Sequence, residues 1–329
     1  MVVVRVVEVR KFGGPDVLVP VEVADPVPGP GEVVVNVAAV DTLFVETQIR
    51  SGWGGEYFDI KPPYVPGGAV SGEVAAVGDG VDASWIGRGV LGYTGGALQV
   101  DAYAERAVVP AGELVPVPDG LGLPEAVSLA HDGTSAYSLF DRAGVRPGDG
   151  VLVVGATGGA AVLLIQLASA AGGTVIGAAR GRRKLDLASE LGATTVVDYS
   201  EPDWPERVRA ATGGHGARVV FDGVGGEIGL AAFGAVAAGG WMSAHGAPTG
   251  GFTAADPAEV AARKVTLHGI AEMRLDLAGR RHLVTRALAD AAAGRVAPVI
   301  GQTFPLERAA EAHAAIEART VIGKTLLIP

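Results

Sequence analysis

Gly155, Gly158 and Ala161 recur every third position where Val151-Leu-Val-Val154 runs into an apolar, alanine-rich stretch, Val162–Ala171. That order reads as strand, tight turn and helix start. Such a turn exposes backbone N–H groups and the positive end of a helix dipole, which suits a pyrophosphate. Small residues at the three positions allow the turn, close approach of a phosphate and close helix–strand packing. The candidate cradle is therefore Gly155, Ala156, Thr157, Gly158, Gly159, Ala160 and Ala161. Thr174–Ala179 reads as a second strand, which completes a βαβ unit of about thirty residues. A ribose with a free 2′-hydroxyl asks for Asp or Glu at the end of that strand. The chain instead continues Ala178-Ala-Arg-Gly-Arg-Arg-Lys184, with no acid and four cations. Cations suit a 2′-phosphate, which Arg can bind through two parallel hydrogen bonds.

A second chemical pair is His131-Asp132, just before Gly133-Thr-Ser135. A histidine beside an acid can supply a proton; the same two residues also read as a helix cap. Metal chemistry finds little support. The chain has no cysteine, and its six histidines (His131, His215, His245, His268, His282, His313) show no paired ligand spacing.

The 329 residues suggest two domains, each large enough for its own core. A hydrophobic content of 49% with 19% charge is globular. A net charge of −10 argues against nucleic acid or an anionic membrane surface as partner. The absence of cysteine fits a reducing cytoplasm. The start, Met1-Val-Val-Val-Arg-Val-Val-Glu-Val, meets charge too soon for a signal peptide. No stretch reaches the ~18 uninterrupted apolar residues of a membrane span.

Positioning these groups requires two textures of chain. Residues 1–120 carry many short strands with Gly/Pro punctuation, which predicts a small barrel. Within it Val33, Val35 and Val37 alternate on one face of Glu32–Val40. From about Leu123, βα units alternate and predict a doubly wound parallel sheet, with a helix over Ile228–Ala238 and a strand over Gly240–Ala244. From Val299 the chain changes again, into a helix at Leu306–Ala318 and a last strand, Lys324–Ile328. The expected fold class is α/β: a small barrel of residues 1–123 and 297–329, and a Rossmann sheet of residues 124–296.

Several longer runs carry a resemblance. Phe12-Gly-Gly-Pro-Asp-Val-Leu18, Pro26-Val-Pro-Gly-Pro-Gly-Glu-Val33, Ile49-Arg-Ser-Gly52 and Gly72-Glu-Val-Ala-Ala-Val-Gly78 are four of them. Arg146-Pro-Gly-Asp149, Gly155-Ala-Thr-Gly-Gly159, Leu191-Gly-Ala193, Phe221-Asp-Gly-Val-Gly-Gly226 and Gly323-Lys324 are the rest. Nearly end to end, the chain resembles the zinc-free quinone oxidoreductase (zeta-crystallin-like) branch of the medium-chain dehydrogenase/reductase superfamily. The resemblance implies a GroES-like first domain to which the terminal strand returns, a cofactor cleft between the domains, and a homodimer. Zinc-dependent relatives carry Gly-His-Glu where this chain has Gly67-Gly68-Ala69. The related reductases hold the 2′-phosphate with a small hydroxyl residue, a Lys and a Tyr. Here Arg180, Lys184 and Tyr199 take those positions, so the implied cofactor is NADPH. Val224, His245, Gly246 and Lys324 fall where relatives approach the cofactor.

The implied reaction is hydride transfer from NADPH to a quinone or α,β-unsaturated carbonyl. Here the chain departs from the family. Quinone reductases of this branch place an Asn and a Tyr in the segment that reads Leu43-Phe-Val-Glu-Thr-Gln-Ile-Arg50 here, so Leu43 replaces the Asn and Gln48 the Tyr. Gln donates a hydrogen bond but supplies no proton at neutral pH. The catalytic candidates are then His131 with Asp132, Gln48 and Tyr64, with His245 and Asp41 also weighed. Leu43, Gln48, Trp53 and Tyr57 would line the substrate pocket. Two readings follow: an NADPH-dependent quinone or enone reductase, and an NADPH-binding sensor or non-redox enzyme, such as a cyclase, on the same fold.

Overall fold

The computed structural model describes residues 2–55, 59–95, 100–273 and 275–329. They form two compact units, Met1–His131 with Val284–Pro329, and Asp132–Leu283.

In the first unit Val3–Val9 pairs antiparallel with Leu18–Ala24. A seven-stranded sheet follows the order Ile300–Pro305, Lys324–Ile328, Glu32–Asp41, Ala69–Val77, Gly89–Tyr93, Leu114–Pro116, and Arg106–Pro110 also pairs with Glu32–Asp41. Isolated bridges, Val6 to Ala104 and Val9 to Tyr64, tie the two-stranded sheet to this unit, which has the GroES-like arrangement expected. Val33, Val34 and Val35 are all fully buried, whereas Val37 is only half-buried. The strict alternation expected there is broken because the register slips between Val34 and Val35 and again between Val37 and Ala39; such bulges bend a strand and turn consecutive residues inward. The core gathers Val9, Val35, Val70, Val90, Leu114 and Leu327 from both sheets. The terminal strand does return to this unit, with Leu326 opposite Asp41 and Leu327 opposite Val40.

The second unit is a six-stranded parallel sheet in the order Thr195–Asp198, Thr174–Ala179, Gly150–Val154, Ala217–Asp222, Val236–Ala244, Thr266–Gly269. The order reverses between Gly150–Val154 and Ala217–Asp222, so the carboxyl ends of those two strands flank the switch point where open α/β sheets bind ligands. Val151–Val154 is fully buried or nearly so, as a strand covered on both faces must be. One boundary differs from expectation. The helix ends at Gly234, and residues 236–244 are strand, paired to Ala217–Asp222 with a register shift after Ala217. An alanine-rich run favours helix locally, and here pairing within the sheet overrides that preference. No helix among the described residues is long and apolar enough to cross a membrane.

Candidate active site

The glycine turn stands at the carboxyl end of Gly150–Val154. Gly155 has φ +77°, a left-handed conformation that glycine adopts without strain, and a Cβ there would come within 3.0 Å of Val224. The Gly155 and Ala156 amides donate to the Ala178 carbonyl, and the Gly158 amide to Gly155, which closes the turn. The helix Gly159–Ala170 starts immediately after, with Gly158 as its N-cap. Gly159, Ala160 and Ala161 thus form a first turn whose N–H groups have no acceptor within the helix. Thr157 is buried beneath it. Amides at the start of a helix suit an anion such as a pyrophosphate.

The cation-rich segment lies at the end of the neighbouring strand. The guanidinium of Arg180 lies 5.9 Å from the centroid of the Tyr199 ring. Lys184 is in the first turn of the helix Arg182–Glu190. Arg182 is engaged by Asp186 at 2.7 Å. A residue the sequence reading did not single out organises the corner: Asp198 accepts the Gly181 amide at 2.9 Å and the Ser200 amide at 2.9 Å. Burial would raise the Asp198 carboxyl, but these donors and Arg180 hold it below its ordinary value.

At the other strand of the switch point, buried Asp222 accepts the Val224 and Gly225 amides, each at 2.9 Å, and the Thr253 hydroxyl. His245 Nδ1 lies 3.0 Å from Ser243 Oγ. Burial keeps this imidazole below its ordinary range, against the pull of Asp222. Gly246 passes so close to Gly223 that a Cβ would fall 2.1 Å from the Gly223 carbonyl atoms.

In the unit Met1–His131 with Val284–Pro329, a charged cluster is built around Asp41. This residue ends the strand Glu32–Asp41 and is fully buried. Lys324 lies two residues from Leu326, the partner of Asp41, and so projects from the same face as a diagonal neighbour. Its ammonium pairs with Asp41 Oδ1, and only 5% of its side chain is exposed. His131 opens the helix His131–Ala143 and sets Nδ1 2.7 Å from Asp41 Oδ2. Burial alone would raise the Asp41 carboxyl; Lys324 and His131 outweigh burial and hold it below the usual carboxylate range. The Tyr93 ring meets His131 edge-on at 5.5 Å, and the Tyr93 hydroxyl donates to the Ala130 carbonyl at 2.8 Å. His131 Nε2 is buried and has no hydrogen-bond partner among the described residues.

His131 and Asp132 therefore do not pair with each other. Consecutive helical residues point in different directions, and the Asp132 carboxylate turns to Gly159, where a Cβ would sit 1.8 Å from its Oδ2. It lies at the start of that helix, where negative charge is favoured. Of the remaining candidates, Leu43 caps the short helix Phe44–Arg50 and Gln48 is half-buried on it. Trp53 is exposed in the following turn, with its amide donating to the Gln48 carbonyl at 3.0 Å. Tyr57 lies outside the described residues. The Tyr64 hydroxyl is buried without a partner, and burial with Glu46 nearby raises it well above its ordinary value, which makes it a poor acid.

Sequence reasoning missed a second buried network. Glu46 Oε2 accepts the Leu43 amide at 3.0 Å and the Tyr103 hydroxyl at 2.7 Å, and that hydroxyl is 2.9 Å from His313 Nε2. Burial pushes Glu46 up to about 8 and His313 down to about 3, so both are neutral at neutral pH. Arg50, 1% exposed, pairs with Glu317.

Residues 29–119 match the family described as alcohol dehydrogenase GroES-like domain, and residues 159–288 the family described as zinc-binding dehydrogenase. A 2-haloacrylate reductase of a Burkholderia species is 31% identical, with 98% of each chain covered. A quinone oxidoreductase of Pseudomonas aeruginosa is 31% identical over 98% of this chain and 99% of its own. The structure of Escherichia coli quinone oxidoreductase complexed with NADPH superimposes with a TM-score of 0.87 at 28% identity, covering 99% of this chain and 100% of that one. The open glycine turn, the parallel sheet, the GroES-like unit and these full-length matches agree: the chain belongs to the quinone oxidoreductase branch of the medium-chain dehydrogenase/reductase superfamily.

Proposed function

We propose that the protein is an NADPH-dependent reductase of quinones or α,β-unsaturated carbonyls that works without a metal. The observation that carries this reading is the pairing of the Gly155–Ala161 cradle with Arg180 over Tyr199 at the end of the next strand. A pyrophosphate fits the first and a 2′-phosphate the second. Lys184, Val224, His245 and Gly246 complete the residues that would hold the cofactor, with Lys324 as a further candidate. The complex of the Escherichia coli relative with NADPH supports this choice. When bound, NADPH supplies the hydride.

The chain's own residues then hold the acceptor and supply a proton. Leu43, Gln48 and Trp53 are assigned to the acceptor pocket, where Gln48 is a hydrogen-bond donor and Leu43 makes the wall more apolar than an Asn would. His131 is assigned as the proton donor: its Nε2 is buried without a hydrogen-bond partner among the described residues while Asp41 holds its Nδ1, whereas the likewise unpartnered Nδ1 of His313 belongs to a ring kept neutral beside Tyr103. Asp132 belongs with the phosphate turn rather than with proton transfer. Metal independence rests on the donor set: the sequence has no cysteine, and among the described residues no three His, Asp or Glu side chains gather as metal ligands. The resemblance supports a homodimer, and the lack of cysteine a reducing, cytoplasmic setting.

Fluorescence titration with NADPH and NADH, followed by NADPH oxidation against a panel of quinones and linear enones, tests the reading. Tighter binding of NADPH with turnover of one acceptor class is the expected result. Preference for NADH overturns the Arg180 assignment. NADPH binding without turnover of any acceptor favours the sensor or cyclase reading over the reductase.

A further inference from the structure

We infer that the buried Asp41–Lys324 pair is the positioning device of His131: Asp41 fixes the imidazole proton on Nδ1 and leaves Nε2 to carry the transferable proton, while Lys324 offsets the charge of Asp41 so that this proton can leave. The inference rests on the reading of His131 as proton donor.

An ionised carboxylate only accepts hydrogen bonds. With Asp41 Oδ2 at 2.7 Å, Nδ1 of His131 must therefore carry hydrogen. The neutral ring is then bare at Nε2, and the protonated ring carries its second hydrogen there. Edge-on packing by Tyr93 fixes the ring plane, and the Tyr93 hydroxyl donates to the Ala130 carbonyl. The second oxygen of Asp41 is taken by Lys324. A lone buried carboxylate would favour the imidazolium strongly and retain its proton; a carboxylate already balanced by an ammonium favours it less. Two further titratable groups among the described residues, Glu46 and Asp132, do not supply this balance. Glu46 is uncharged at neutral pH because burial disfavours its anion, and Asp132 turns to Gly159.

The step balances. Hydride transfer adds two electrons to the acceptor and leaves it anionic. The Nε2–H bond of His131 breaks as the new bond to hydrogen forms on the acceptor, and the N–H electron pair stays on nitrogen. His131 ends neutral, Asp41 remains ionised throughout, and a proton from the solvent returns to Nε2 once the product has left.

The test is 15N-histidine NMR of the full-length protein without cofactor, with His131→Gln assigning the signal, alongside pH profiles of NADPH oxidation. The expected signal is the Nδ1–H tautomer. Asp41→Asn is expected to move the titration midpoint of His131 down and Lys324→Met to move it up, each by about one pH unit, with the pH limb of kcat following in the same directions. Lys324→Arg should restore the original midpoint. An Nε2–H tautomer in the parent protein, or midpoints that stay put or move together, overturns the inference. If a single variant fails to fold, the double variant Asp41→Asn/Lys324→Met is used. An amide can donate as well as accept, so a mixed tautomer is expected there, and an unchanged Nδ1–H signal overturns the inference. Full turnover in His131→Gln would overturn the proton-donor reading alone, because the tautomer and the midpoints are read without turnover.

Discussion

In the unit Asp132–Leu283 the proposed phosphate cradle is built of backbone amides, with Arg180 and Lys184 at its edge, whereas in the other unit the proposed proton-transfer group is built of side chains, His131 with the buried pair Asp41 and Lys324. The two materials obey different rules. A backbone amide keeps its donor at every pH and needs no counter-charge. It asks only for room, which is why Gly155 takes φ +77° and Gly246 passes against Gly223. A buried side-chain charge must be paired, and removing one partner leaves the other exposed to the full desolvation penalty. The amide-built half should therefore tolerate loss of surface charges, while the side-chain-built half should be fragile and pH-sensitive.

The largest expected effect is the break of the buried pair. Asp41→Asn leaves Lys324, 5% exposed, without its counter-charge and should cost about 3–5 kcal/mol of stability. The double variant Asp41→Asn/Lys324→Met removes both charges and should recover most of that loss. Urea unfolding of the parent, both single variants and the double variant measures the coupling. Additive losses would show that the two residues do not depend on each other, and the contrast drawn here would go with them.

Next comes turnover. His131→Gln should lower kcat by roughly 10²–10⁴-fold, the usual range for loss of a positioned proton donor. NADPH affinity should stay within twofold, because the proposed cradle is backbone. A loss of affinity that matched the loss of rate would assign His131 to binding instead.

The Glu46–Tyr103–His313 network sharpens the comparison through pH. Glu46 is raised from 4.5 to about 8 in the folded protein, so its contribution to stability is complete below 4.5 and is lost as pH rises through 8. His313 is lowered from 6.5 to about 3, so its contribution is complete above 6.5 and is lost as pH falls through 3. Between 4.5 and 6.5 the two slopes oppose each other, and from 6.5 to 8 that of Glu46 stands alone. Stability should fall across that upper window by up to about 1.4 kcal/mol per pH unit. Glu46→Gln keeps an oxygen for Leu43 and Tyr103 but cannot ionise. It should abolish the fall above 6.5 and uncover the rise due to His313 between 4.5 and 6.5. Thermal unfolding across the pH series reads both, and an unchanged profile would mean that Glu46 is ionised in the folded state.

The same contrast explains what could be read beforehand. The phosphate turn is local: its glycines, the strand before it and the helix after it lie within about twenty consecutive residues, and steric need writes itself directly into residue type. The cations from Arg180 to Lys184 are legible for the same reason. Asp41, His131 and Lys324 lie far apart in the chain and meet because Leu326 pairs with Asp41, a register that residue types do not encode locally. His131 is legible as a candidate proton donor, but its partner is not, because the adjacent Asp132 diverges from it on the helix. The buried pairing of Glu46 with Tyr103 was hidden likewise. Glu46 sits in a short helix, and its partner Tyr103 lies 57 positions away in the chain. At residues 236–238 local pattern favoured helix, and pairing of Val236 with Ala217 overrode it.

The smallest expected effect falls on the exposed edge of the amide-built unit. Arg180 rests over Tyr199 at the surface, so Arg180→Ala should leave stability within about 0.5 kcal/mol of the parent. Its proposed partner is a 2′-phosphate, and one charge-assisted contact in water is worth about 1–2 kcal/mol after screening. NADPH should therefore bind roughly tenfold more weakly, while NADH, which lacks that phosphate, should bind as before. Raising the salt concentration should shrink the gap between parent and variant for NADPH alone. An equal loss for both cofactors would place Arg180 against the part they share, and the reading of the strand end as a phosphate site would fail even with the glycine cradle intact.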